Sequence, residues 1–382
     1  MAPASRPSTA RSTGARAGSA RASRWPVTPV LVKQVRSGVV ESVHRGDIVE
    51  VDATGRMRHV LGDPDRVVNL RSTVKPFGLL ALLRAGGRAE FDLTTEELAV
   101  MTSSHSGEDL HVRTIQAVYR RLAIPQSVLA CGTEGSPLDP LTAARLARDG
   151  ERPSPLRHMC SGNHTVLVLL AKLGGWPLET YWQEDHPAHV AFAEAVAAAF
   201  AVRPDRLVTG VDGCGILTYA FPLRDVARAF AILADPSALP ADDPRVALAP
   251  HLLEVRDAMR TYPELVAGTR DRLDTSLMKA TEGLVVSKSG MEGLRGMAIL
   301  PGARGAGSQA SGMAVKIEDG DGYERGTWAA GIEALRQAGV VEGQALRMLA
   351  RYHRPVDIDP HGRTAGESIA EFELAPVGEL TG

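Results

Sequence analysis

The sequence predicts an α+β chain in which strands near both ends form one antiparallel sheet and the middle, roughly 85–275, forms a largely helical lobe. Three observations carry this prediction. Residues 30–51 are β-branched, with short turn signals between the runs. From 75 to about 260 the apolar residues recur with helical spacing, and strand character returns only after Gly283. The 382 residues, 44% of them hydrophobic, suffice for a large core.

Taken in order, residues 1–24 are Ala, Ser, Arg, Gly, Thr and Pro with little that is large and apolar, and read as a disordered tail. Its acid-free, Arg/Ser-rich make-up is similar to an organelle transit peptide, and without an apolar stretch it does not read as a secretory signal. The rest, 25–382, reads as one catalytic domain with no internal linker or repeat. A meander is expected from strands at 30–32, 39–43 and 47–51, with Ser37-Gly38 and Arg45-Gly46 as turns. Helices are expected from Ser72 to Gly86 and at about 95–101, 110–122, 141–149, 163–173, 187–200, 223–233 and 246–260. Strands follow at 283–287, 297–300 and 312–317, then helices at 326–337 and 342–351, and a closing strand at 368–374.

Composition narrows the function classes. A formal charge of −2, from 43 basic and 45 acidic residues, gives no electrostatic footprint for nucleic acid or an anionic membrane. No stretch approaches the roughly 20 apolar residues of a transmembrane helix. Three cysteines, Cys131, Cys160 and Cys214, cannot all pair within one chain, which fits a reduced cytoplasmic setting. A small-molecule substrate is the expectation.

The chemistry starts at Arg71-Ser72-Thr73-Val74-Lys75-Pro76. Ser72 and Lys75, three apart at a helix start, fall on one face, where an amine can take the proton of a hydroxyl and make it a nucleophile. Ser-x-x-Lys alone is common, and its plain reading is an N-capping Ser72 with a solvated Lys75. Two further segments strengthen it: the polar loop Thr102-Ser103-Ser104-His105-Ser106-Gly107-Glu108 and Lys288-Ser289-Gly290 at a strand end. In that order the three match the signature of serine β-lactamases and penicillin-binding proteins. The plain reading of the loop is helix capping by Ser104 or Ser106. Cys160-Ser161-Gly162-Asn163-His164 and Asp212-Gly213-Cys214-Gly215 add glycine-rich turns beside uncommon polar side chains. The first opens a helix whose free N–H groups suit an anion or oxyanion. Two thiols suggest zinc, but spacing shows no four-ligand set, and buried cysteines commonly pack as small hydrophobes.

These motifs together resemble the Rhizobium-type L-asparaginases, over roughly 29–374. That resemblance implies a serine β-lactamase-like fold, also found in glutaminases, and hydrolysis of the L-asparagine side-chain amide through an acyl-enzyme. It implies two Ser-Lys pairs, Ser72 with Lys75 and Ser104 with Lys288, with Ser72 as the nucleophile. It implies a metal held by Cys160 and Cys214 with a lysine between them, where this chain has Asn163, a weaker neutral ligand; the adjacent His164 is the substitute donor. Arg71, His105, Asn163, His164, Asp212 and Gly213 are the expected substrate-binding residues, Asp212 and His105 being candidates for the α-amino group. A homodimer is also implied. The Ser-Lys chemistry by itself does not choose the acyl donor: glutamine or a β-lactam is the alternative, as is a catalytically silent protein that binds an amino acid or metal.

Overall fold

The computed structural model describes residues 28–322 and 324–379, so the tail expected at 1–24 lies outside the described residues. Eleven described strands form two sheets. The larger contains β1 (Val30–Arg36), β2 (Val39–Val51), β3 (Met57–Leu61), β7 (Val285–Gly290), β8 (Leu294–Ile299), β9 (Ser311–Ile317), β10 (Val356–Ile358) and β11 (Thr364–Ala370). Its order is β10-β11-β1-β2-β9-β8-β7, with β3 on β2, and every pairing is antiparallel. Strands from the two ends of the chain thus meet at β1–β11, where Val32 faces Ala370, and at β2–β9, where Val49 faces Ala314.

Side-chain alternation divides this sheet between two cores. Val49, Val286, Ala298 and Ala314 join a cluster with the helical lobe, packed on the helix Leu223–Ala234. Their neighbours Ile48, Val285, Met297 and Val315 join a second cluster under the helix Arg325–Gln337. With both faces covered, every residue of β8 is buried.

Several expectations are corrected. Arg45-Gly46 is no turn: β2 runs unbroken through it, and Gly46 pairs with Ile317. A Cβ at Gly46 would lie 2.2 Å from the Lys316 carbonyl oxygen, so this glycine serves close strand approach rather than chain reversal. The final strand is Thr364–Ala370 rather than 368–374, because antiparallel pairing carries the chain past the start of β1 just after Ala370. The strand expected at 297–300 starts at Leu294. The helix expected at 246–260 begins as a tight 3₁₀ turn, Pro244–Leu248, before the α-helix Ala249–Thr261, and that expected at 342–351 divides into Gly343–Met348 and Ala350–His353. A small second sheet was not foreseen: β4 (Val67–Asn69), β6 (Leu217–Pro222) and β5 (Val208–Val211), in the order β4-β6-β5. Val67, Val208 and Val211 are exposed, and strands of three or four residues with one apolar face open to solvent carry almost no period.

Candidate active site

Ser72 sits where both sheets meet the helical lobe. A 3₁₀ turn, Arg71–Val74, runs directly into the helix Lys75–Arg84, with Pro76 in the first turn, where its missing N–H is not needed. Arg71 has φ +47°, a left-handed conformation that costs a non-glycine residue about 1–3 kcal/mol. Its surroundings over-determine it. The Arg71 N–H donates to Thr218 Oγ1 on β6 at 2.9 Å, and its guanidinium pairs with Asp212 at 2.9 Å.

Lys75 is 3% exposed, which excludes the solvated-lysine reading. Its amine donates to the Ser103 carbonyl (2.7 Å), to Ser104 Oγ (3.1 Å) and to Cys160 Sγ (3.3 Å) rather than to Ser72. Lys288, fully buried on the edge strand β7, donates to Ser104 Oγ (2.8 Å) and to the Ser289 carbonyl (2.7 Å). Ser104 therefore bridges two amines from elements more than 200 residues apart. Burial first, then the neighbouring Lys75 charge, push the Lys288 amine well below its ordinary pKa, and Asp274 opposes them. The Ser72 hydroxyl makes no hydrogen bond among the described residues and, with Ser104, lines a cavity of about 540 Å³.

Gly290 explains the third motif. A Cβ there would lie 2.8 Å from the Leu70 carbonyl oxygen and 3.2 Å from Thr73 Cγ2, so only glycine lets β7 lie against the turn that carries Ser72. Gly290→Ala is expected to lower kcat by about 100-fold, the cost of misplacing Lys288 by about 1 Å. Unchanged kcat in a steady-state assay would refute this role.

Neither Ser104 nor Ser106 caps a helix. Glu108 is the N-cap of Asp109–Arg121 without a side-chain cap bond, and Ser106 donates instead to Glu108 at 2.6 Å. His105 is fully buried and accepts from the Gly107 N–H (3.1 Å), so its Nε2–H donates to Ser161 Oγ (2.8 Å); burial keeps it neutral. His164 bonds Tyr181 through Nδ1 at 2.6 Å, and burial lowers its pKa to about 3. Neither histidine lines the cavity, nor do Asn163, Asp212 or Gly213. Asp212 instead accepts from the Gly213 N–H at 2.6 Å and holds Arg71 beside Ser72.

Cys160 and Cys214 lie together beneath Lys75. Cys214 keeps its proton, its pKa raised by the hydrogen bond to Cys160 and by burial. The same bond, reinforced by the Lys75 charge and by His158, lowers that of Cys160. Asn163, on the next turn, is fully buried with both side-chain polar atoms unpartnered. Among the described residues no three His, Cys, Asp or Glu side chains converge as metal ligands. His164 Nδ1 is engaged by Tyr181, and Cys160 Sγ already accepts from the Lys75 amine 3.3 Å away. Two thiols and a neutral amide do not fit the donor set of a tetrahedral zinc site. Purified protein is accordingly expected to carry well under one zinc per chain by elemental analysis. Stoichiometric zinc that disappears in Cys160→Ala would overturn this.

Sequence reasoning missed Asp274, Arg272, Arg295 and His158. Asp274 accepts from Ser287 Oγ (2.6 Å) and from the Ser289 N–H and Oγ (3.0 and 2.7 Å), and pairs with the buried Arg295, clamping β7 on both sides of Lys288. Nothing in its local sequence marks it, whereas the His-x-Cys spacing of His158 and Cys160 was a usable signal.

The chain belongs to the L-asparaginase II family, whose model matches residues 32–370. No curated protein matches it. Among solved structures it is similar to Mglu in its tris and glutamate form, at 19% identity and a TM-score of 0.36, over 84% of this chain and 65% of that one. It spans, that is, just under two thirds of the Mglu chain. A Bacillus subtilis probable glutaminase matches at 13% identity, TM-score 0.35, over 73% of this chain and 82% of the other. A Bacillus glutaminase in 4.3 M NaCl matches at 13%, TM-score 0.38, over 77% and 91%. No described helix is long and apolar enough to cross a membrane.

Proposed function

We propose that this chain hydrolyses the side-chain amide of L-asparagine to L-aspartate and ammonia. The observation that carries the reading is an unencumbered Ser72 hydroxyl at a helix start, opening into a cavity beside Ser104 and above two buried lysines. Ser72 Oγ attacks the amide carbon while Lys75 takes the hydroxyl proton, and that proton leaves on the amide nitrogen as the C–N bond breaks. Ammonia departs and an ester to Ser72 remains. Water then adds to the ester, giving its proton back through the same amine, and L-aspartate is released. The two amines that share Ser104 disfavour each other's charge, which leaves one free to act as a base near neutral pH. The positive end of the helix that carries Ser72 favours the negative charge developing on the oxyanion. Asp212 and Arg71 fix the position of Ser72.

Three buried unpaired cysteines support a reducing, cytoplasmic setting, and we place the protein there as a homodimer. The deciding experiment measures ammonia release from L-asparagine and L-glutamine, and ring opening of a β-lactam, by the wild-type chain. Turnover of L-asparagine is expected. Preference for L-glutamine would reassign the substrate, and inertness toward all three would leave an amino-acid-binding protein.

A further inference from the structure

The cavity that holds Ser72 and Ser104 is also lined by three arginines, Arg270, Arg272 and Arg295. Two are spoken for. Arg270 pairs with Asp139 at 2.6 Å and with Glu108 at 3.3 Å, and Arg295 is locked on Asp274. Arg272 has no carboxylate within 4 Å among the described residues; its one hydrogen bond runs from Nη2 to the Ser104 carbonyl oxygen at 2.8 Å. That bond fixes the guanidinium against the residue that bridges Lys75 and Lys288, neither of which has an ion pair among the described residues either. The buried carboxylate nearby, Asp274 in the helix Leu273–Ala280, is already engaged by Arg295, Ser287 and Ser289. The cavity floor therefore presents one guanidinium without a carboxylate partner beside two buried lysine amines. On the rim, Asp271 is held by Arg351 at 2.6 Å, Asp319 by His44 at 2.8 Å and Asp321 by the start of the Arg325–Gln337 helix, while Glu292 and Glu324 line the cavity without an ion pair to Arg272.

We infer that Arg272 binds the α-carboxylate of the substrate, making the site selective for amides of free α-amino acids over amides without a carboxylate. This rests on the reading of the cavity as an amide-hydrolysing site. A guanidinium anchored through one nitrogen still presents the rest of its planar fork, which matches a carboxylate through two parallel hydrogen bonds. Anchoring through the Ser104 carbonyl also ties the bound carboxylate to the serine–lysine cluster, so substrate is held in register with Ser72.

The test compares L-asparagine with L-asparaginamide, whose α-carboxylate is replaced by a neutral amide, in wild type, Arg272→Gln and Arg272→Lys. Wild type is expected to favour L-asparagine in kcat/KM by about 100-fold, the scale of a desolvated charge pair. Arg272→Gln should lose about that factor on L-asparagine, mainly through KM, and change by less than about threefold on L-asparaginamide, so the preference vanishes. Arg272→Lys should recover part of it. A preference that survives in Arg272→Gln overturns the assignment. Should wild type hydrolyse neither compound, the amide-hydrolysis reading fails while calorimetric titration with L-aspartate still decides Arg272. Binding by wild type that is lost in a folded Arg272→Gln supports the anchor; equal binding, or none by wild type, overturns it.

Discussion

Replacing Ser72 by alanine is expected to lower ammonia release from L-asparagine by at least about 1,000-fold, the scale on which covalent catalysis collapses without its nucleophile. Ser72 and Ser104 both face the cavity, and their environments differ. Ser104 Oγ is held by two amines at 2.8 and 3.1 Å, as suits a group that relays protons, whereas Ser72 Oγ is free to approach a carbonyl carbon. Ser104→Ala should also be slow, since it disconnects Lys75 from Lys288, so rate alone does not separate the two. Quenching wild type during turnover and locating the ester by peptide mass spectrometry does. The adduct is expected on the peptide that contains Ser72, and an adduct on Ser104 would exchange the two roles. Near-normal turnover by Ser72→Ala would remove Ser72 from the chemistry altogether.

The second large effect is on stability. Asp274→Ala is expected to cost about 3–5 kcal/mol, because it strands the buried Arg295 and leaves the Ser287 and Ser289 donors without an acceptor. Asp274→Asn should cost less, since an amide oxygen still accepts hydrogen bonds, but it cannot balance Arg295. The pH dependence follows from the same network. Burial would raise the carboxyl pKa of Asp274, but the Arg295 and Lys288 charges and the serine hydrogen bonds outweigh it and depress that pKa far below the ordinary range. A depressed folded-state pKa means that the contribution is complete above the unfolded value of about 4 and is lost as pH falls below it. Buried His111, lowered to about 4, adds to the loss, because the unfolded chain takes up that proton from about pH 6.5 downward. Denaturant melts from pH 7 to 3 should show stability falling in both steps, with the lower step smaller in Asp274→Asn. A pH-independent midpoint would refute the network.

How much of this was legible in the sequence varies with the range of the interaction involved. Ser72 and Lys75 are joined by one helical turn, so their spacing alone places them on one face. Lys288-Ser289-Gly290 was readable because an apolar strand followed by that triplet is a local pattern, and Gly290 has a steric reason to be there. The Arg45-Gly46 reading failed for the converse reason: a glycine demanded by the Lys316 carbonyl of a distant strand looks locally like a turn.

Composition, periodicity and motif order by themselves pointed to the α+β class, the sheet built from both chain ends and the Ser72–Lys75 pair, while the resemblance to the Rhizobium-type asparaginases implied Ser104 with Lys288. Only the tertiary structure decided that Ser104 bridges both amines while Ser72 is free, that His105 and His164 are packed away from the cavity, and that the Cys160–Cys214 pair lies against the Lys75 amine. It also brought in Arg272 and Asp274, which no motif announces. The physical reason is that backbone periodicity and one-turn pairs are encoded over a few residues. The charge state, burial and partners of a side chain depend on groups 100–200 residues away that become neighbours only when the sheet and the helical lobe close on each other.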